Sequence, residues 1–183
     1  MQVPFNEAKA TQTAALLLRL RGAPMSYMKL IKLMYLVDRE ALLRWGRPIS
    51  TDSYVSMNKG PVLSKTYDLI TDGIAPGTDS VWAQFISAPA NREVSLLKET
   101  PTEELSRAEQ ELIQEVFAHH GRKSRWEIVD WMHDNLPEWT NPEGTSIPIT
   151  YGDILRAGKK SEVEIAAIED ELKHLAFVSF AIR

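Results

Sequence analysis

Apolar positions recur at helical spacing along most of this chain. A first helix is predicted from Asn6, a good N-cap, to about Arg21, with Ala10, Ala14, Leu17 and Leu18 on one side. Gly22-Ala23-Pro24 stops it. Ser26 can cap a second helix running to about Trp45. Tyr27, Leu30, Ile31, Met34, Val37, Ala41, Leu42 and Trp45 form its apolar stripe. Met28, Leu33, Tyr35, Leu36 and Leu43 lie outside that stripe, and a helix apolar nearly all round is a buried one. The second helix is therefore expected at the centre, with neighbours on several sides. Gly46 ends it and Pro48 follows.

Residues 49–60 carry turn residues and a short Tyr54-Val55-Ser56-Met57 segment. Pro61 suits the first position of a helix, where a missing N–H loses no partner, so a third helix is predicted from Pro61 to Thr71. Asp72-Gly73 closes it, and residues 72–80 read as loop. Val81–Ile86 and Arg92–Lys98 read as two short strands of a hairpin around Ser87–Asn91. Three capping boxes then open helices: Ser106 with Glu109, to His120; Ser124 with Glu127, to Asn135; Ser161 with Glu164, to Ala176. Thr150 with Asp153 is a weaker box for a short helix ending at Gly158. Leu136–Ile149 holds three prolines and reads as loop, and the tail Phe177–Ile182 fits helix or strand. There are no repeats, heptads or low-complexity tracts. The expected fold is mainly α. It is a single helical domain over residues 1–183, with a buried central helix and one small antiparallel hairpin or sheet that includes residues 81–98.

Composition narrows the class. A length of 183 residues suits one domain, and 44 % apolar residues supply a core that a disordered chain lacks. The absence of cysteine excludes disulfides, cysteine–zinc sites, haem thiolate ligation and cysteine nucleophiles. A net charge of −4 argues against nucleic-acid binding through bulk positive charge. The charge is uneven: residues 1–60 carry nine Lys and Arg against four Asp and Glu, net +5, and the remainder is net −9. Either the two parts attract within one fold, or one presents a charged face to a partner. The apolar run Ala14–Leu18 ends at Arg19 and is too short to span a bilayer. Without a basic stretch and cleavage site it is no secretory signal either, so a cytoplasmic location is expected.

Catalytic patterns are sparse. His133-Asp134 is the one tempting pair, because an adjacent His-Asp serves as a metal-binding dyad in one class of phosphohydrolases. Such sites need further histidines. Of the other three, His119 and His120 diverge by ~100° on a helix, and none of the three lies four residues from His133. His133 is then expected to hydrogen-bond at a helix-to-loop packing site. No Gly-x-Ser-x-Gly elbow, Gly-x-Gly-x-x-Gly loop or phosphate-binding P-loop occurs. Glu103-Glu104 and Glu169-Asp170-Glu171 fall on polar surface. A helix-turn-helix around Arg122-Lys123-Ser124-Arg125 has suitable lengths, but Glu127, Asp130 and Asp134 would repel phosphate. Trp126, Val129 and Met132 are better used in the core. No catalytic residue, cofactor or metal is expected, and a binding role is favoured.

Three groups of residues carry a family resemblance. Lys29, Leu30, Lys32, Leu33 and Tyr35 form a Lys-Leu-x-Lys-Leu-x-Tyr helix, followed by Gly46 and Pro48. Gly60, Pro61 and Val62 lead into a helix bearing Tyr67. Trp131, His133, Asp134 and Trp139 give a histidine–acid pair followed by tryptophan. In order and spacing these resemble the Panacea domain, the SocA-like antitoxin family, over about residues 10–160. One departure is Ser56-Met57-Asn58-Lys59, where many members carry a nearby aromatic residue.

The resemblance implies a toxin–antitoxin system of bacterial or phage origin. The antitoxin would neutralise a cognate protein toxin, usually encoded beside it, by direct contact. In one branch such a domain is a proteolytic adaptor that delivers its toxin to a protease. The family has no established catalytic residues. A metal-dependent hydrolase around His133-Asp134 and a DNA-binding regulator are the rival readings, separable by metal content and by salt-dependent DNA binding.

Lys29, Lys32 and Tyr35 either line the edge of the core or form a basic strip at a partner surface. Gly60-Pro61-Val62 is read as structural. Trp139, in Pro137-Glu138-Trp139, either staples its loop or anchors a partner. Trp82 and Trp139 are the candidate partner anchors.

Overall fold

In the computed structural model, which describes residues 3–75 and 77–181, α1 (Glu7–Arg21), β1 (Met25–Ser26) and α2 (Tyr27–Trp45) come first. The hairpin strands β2 (Tyr54–Met57) and β3 (Gly60–Leu63), α3 (Ser64–Thr71), α4 (Val81–Phe85) and β4 (Glu93–Val94) follow. The chain continues with α5 (Arg107–His120), α6 (Arg125–Asn135), β5 (Ile147–Ile149), α7 (Tyr151–Ala157) and α8 (Glu162–Ala181). The class is the predicted one, mainly α with small antiparallel sheets.

Around α2 pack α1, α3, α5, α6, α7, β1 and β3. Leu30, Leu33, Tyr35, Val37, Ala41 and Leu42 are fully buried, which is what apolarity on every side of a helix requires. Trp45, at its last turn, is exposed. Asn6 caps α1 by accepting from the Lys9 N–H at 2.9 Å, and Gly22 closes it in the left-handed region at φ +69°. The capping boxes of α5, α6 and α7 form with both reciprocal bonds. Ser161 and Glu164 make the same pair of bonds at the start of α8. That helix runs beyond Ala176 to Ala181, so Phe177–Ala181 of the tail is helical; Ile182 lies outside the described residues.

Three predicted elements differ. Pro61 does not begin a helix. It lies in β3, opposite Ser56 of β2, after a turn at Asn58-Lys59. Because β3 is an edge strand, the missing N–H costs the ladder nothing. The helix begins instead at Ser64, where the Asp52 carboxylate accepts from Lys65 N, Thr66 N and Thr66 Oγ1 at 2.9, 2.9 and 2.7 Å. This cap comes from twelve or more residues upstream.

Val81–Ile86 is not a strand, since Val81–Phe85 is helical. Ser80 accepts from Ala83 N, and Glu7 of α1 accepts from Trp82 N at 3.0 Å and Ser80 Oγ at 2.5 Å, placing a carboxylate at the helix N-terminus. The chain still doubles back as expected after Phe85, through the antiparallel bridges Ile86–Leu96 and Ala90–Glu93 and the bonds from Leu97 N to the Phe85 carbonyl and from Ser87 N to the Ser95 carbonyl, while Glu93-Val94 pairs with Met25-Ser26. Finally, the proline-bearing loop contributes β5, which pairs with Tyr54–Ser56. The three-stranded sheet, ordered β3-β2-β5, therefore sits at 54–63 and 147–149, and the 81–98 segment contributes only Glu93-Val94 to the separate two-stranded β1-β4 sheet.

The opposite charges of the two parts of the chain meet within the fold, in two partly or fully buried pairs and one at the surface, Arg44–Glu115. Lys9–Glu109 (2.7 Å), Arg39–Glu138 (2.7 Å) and Arg44–Glu115 (2.6 Å) each join a cation from residues 1–60 to an acid from the remainder.

Candidate functional site

Lys29, Lys32 and Tyr35 follow each other at intervals of three, so they share one broad arc of α2. Each ends on a different returning segment. The Lys29 ammonium donates to the Gly121 carbonyl at 2.6 Å, at the end of α5 where backbone acceptors lack helical partners. Lys32 donates to the Pro61 carbonyl of β3 at 2.9 Å. The Tyr35 hydroxyl donates to Glu138 Oε1 at 3.0 Å, in the loop after α6. All three side chains are buried, with Lys32 at 1 % exposure. Of the two readings the structure takes the interior one, and the alternative of a basic strip at a partner surface is not present. The lysines go further than lining the core edge, because their ammonium groups are themselves inside.

Burial changes the chemistry of these groups. It pushes the Lys32 ammonium down to about 7, aided by the nearby charge of Lys59. Lys29 is lowered by burial and then by Arg21. Tyr35 is raised well above the usual phenol range, by burial first and then by the Glu138 charge. Glu138 has no exposed side-chain surface, and Arg39 completes its pairing through Nε at 2.7 Å and Nη2 at 3.4 Å.

One helical turn beyond Met34 stands Asp38, also buried. Its Oδ1 accepts from Ile49 N and Ser50 N, both at 3.0 Å. Its Oδ2 accepts from the Ser50 hydroxyl and from the Tyr54 hydroxyl, the latter at 3.2 Å. The turn after Gly46 is thus folded back onto α2. Sequence reasoning missed Asp38, although a lone acid amid buried positions of the central helix was the available signal.

The His133–Trp139 group packs the loop after α6 against the hairpin. Trp139 Nε1 donates to the Met57 carbonyl at 2.9 Å, and its ring stacks on His133 with centroids 3.9 Å apart. Thr140 N donates to Ser56 Oγ at 3.3 Å and Gly144 N to Asn58 Oδ1 at 3.0 Å. Trp139 is thereby the staple of its loop. His133 holds its place by stacking rather than by the expected hydrogen bond, and its Nε2 is buried without a hydrogen-bond partner among the described residues. Asp134 is exposed. Trp131 meets His120 edge-on at 4.5 Å, and burial, followed by the charges of Lys123 and His119, pushes His120 down to about 4.

Two tryptophans are placed differently from expectation. Trp82 is 2 % exposed, because α4 packs on α1, so it presents no surface to a partner. Trp126, expected in the core, is 47 % exposed, with Lys59 and Arg125 over its ring at 5.1 and 5.3 Å. Val129 and Met132 on the same helix are buried. Among the described residues no three His, Asp or Glu side chains gather as a metal-binding group, and no helix is long and apolar enough to cross a membrane.

These contacts define a helical domain whose central helix uses its polar side chains to hold the returning chain. The protein belongs to the family described as antitoxin SocA-like, Panacea domain, whose model matches residues 30–140. Lys29 stands one position before that span, and the other motif residues lie within it. No curated protein and no solved structure gives a significant match.

Proposed function

We propose that this protein is an antitoxin that neutralises a cognate protein toxin by direct protein–protein contact in the cytoplasm. The observation that carries the reading is membership of the SocA-like antitoxin family. The internal use of the family's polar motif agrees with it. Lys29, Lys32, Tyr35 and Trp139 are engaged in holding the fold, so recognition falls to other, exposed side chains. We take residues 1–183 as one domain, because α1 and α8, which lie outside the matched span, pack on α2 and α5 and on α7 respectively.

The test is co-expression with the product of each adjacent gene, followed by titration of the purified pair. Growth rescue with stoichiometric binding is expected. Rescue without detectable binding would sink direct neutralisation. Rescue that vanishes in a protease-deficient host would replace it with delivery of the toxin for proteolysis.

A further inference from the structure

A pocket of about 290 Å³ opens between α2, α3, the β2–β3 turn and the Gly144-Thr145 segment. Tyr27, Ile31 and Tyr67 give it apolar and aromatic walls, and Lys32, Lys59 and Asn58 give it a polar end. Neither Asp nor Glu lines it. We propose that this pocket binds a small amphipathic carboxylate, its charged group on Lys32 and its apolar body against the tyrosines.

A buried cation is unfavourable unless its donors and its charge are matched. Lys32 carries three N–H donors, and the Pro61 carbonyl at 2.9 Å takes one of them. Gly60 lies against the ammonium without offering it an acceptor side chain, and a second cation, Lys59, adds repulsion. A carboxylate in the pocket would accept from Lys32 and offset both burdens. One buried cation matches one negative charge. A phosphate dianion would have to place its second charge on Lys59, which is exposed at the rim and screened by solvent. The volume, near the small end for ligand sites, suits a molecule with one ring and a short chain. This inference is independent of toxin binding.

Protonation supplies a second readout. Lys32 sits at about 7 because of burial and Lys59, so it loses its charge as pH rises past neutrality. The other titratable groups facing the pocket are Lys59 from the β2–β3 turn, Tyr27 from α2 and Tyr67 from α3; burial holds Tyr67 above the usual phenol value, so it stays neutral there. A bound carboxylate favours the charged lysine. Affinity is therefore highest below pH 7 and falls above it, with proton uptake on binding near and above neutrality.

The experiment titrates 3-phenylpropionate, and separately the uncharged 3-phenylpropan-1-ol, into the isotopically labelled full chain, following amide shifts. For so small a ligand a Kd of about 1–5 mM is expected. Shifts should centre on Asn58, Lys59, Gly144 and Thr145. The alcohol should bind at least ~10-fold more weakly, the usual value of a charge-assisted hydrogen bond. The carboxylate should weaken by about tenfold between pH 6.5 and 8.5 as Lys32 deprotonates. Lys32→Met should abolish the preference for the acid over the alcohol. If that variant does not fold, the exposed Lys59→Gln, expected to weaken binding ~2-fold, and the pH series carry the test. The proposal is overturned if the carboxylate leaves the pocket amides unmoved, if the alcohol binds as well, or if affinity is independent of pH.

Discussion

Asp38 is a fully buried carboxyl whose ionisation the fold constrains. Burial raises it to about 6 against the hydrogen bonds from Ser50 and Tyr54, which pull it down. The sign follows from linkage: an acid with a raised folded pKa adds stability that is fully present below about pH 4 and is lost as pH climbs through about 6. The span is on the order of 3 kcal/mol. Asp38→Asn removes the titration while keeping an acceptor for Ile49 N and Ser50 N, and the two hydroxyls can turn to accept from its amide. The variant's stability relative to the parent should therefore rise between pH 4 and pH 7. Asp38→Ala strands buried donors as well, so it should cost about 2–4 kcal/mol at pH 4, and its deficit relative to the parent should shrink by pH 7 because the titration is lost with the carboxyl. Urea unfolding at the two pH values decides. If the Asn variant and the parent share one pH profile, the carboxylate does not titrate in this range. At this scale the sequence showed which residues mattered better than what they did. Lys29, Lys32 and Tyr35 were legible as a pattern, but their acceptors, Gly121, Pro61 and Glu138, lie 92, 29 and 103 residues away.

Elements that carry their own start signals were readable, and elements fixed from elsewhere were not. The helices opened by Ser106, Ser124, Thr150 and Ser161 depend on a bond three residues away, so a short window holds the cause. The start of α3 depends on Asp52, α4 on Glu7 beside its own Ser80 cap, and β5 on the far strand β2, and no local pattern reveals these distant partners. The loop after α6 is the clearest case. Its prolines marked an irregular segment correctly, while its order comes from Trp139 on Met57, Thr140 on Ser56 and Gly144 on Asn58. Trp139→Ala should then release the loop and the hairpin turn together. Hydrogen exchange should accelerate at residues 137–145 and 57–60 while α1 and α5 stay protected, with a global cost of about 2–3 kcal/mol for the half-buried ring. Unchanged exchange at 57–60 would show that the hairpin stands without the staple. This is also the reason Trp139 is a poor reporter of partner contact: its loss changes the fold's own surface.

At the scale of the whole molecule, the charge asymmetry and the aromatic surface have to be read together. The ion pairs Lys9–Glu109, Arg39–Glu138 and Arg44–Glu115 absorb part of the positive charge of residues 1–60 into the fold, and the chain keeps a net charge of −4. The acidic remainder favours a basic partner, whose association should slow as salt rises. Trp82 is enclosed and Trp139 is occupied with its loop, which leaves Trp45 and Trp126 exposed, at 40 % and 47 %; Trp126, with Lys59 and Arg125 over its ring, suits an acidic stretch on the partner's surface. Interface energy concentrates in a few aromatic and arginine side chains, and Trp126 stands beside Arg125. We therefore expect Trp126→Ala to weaken toxin binding by ~30-fold or more, corresponding to a loss of about 2 kcal/mol, with Tm close to the parent's. Trp82→Ala should do the reverse, lowering Tm by opening a core cavity and leaving the affinity of the remaining folded protein near the parent's. Calorimetric titration of the purified toxin, paired with thermal melts of the three chains, separates these outcomes. A Trp126→Ala variant that binds like the parent would move the interface to another face, and the exposed Phe177 and Phe180 of α8 would be the next residues to truncate.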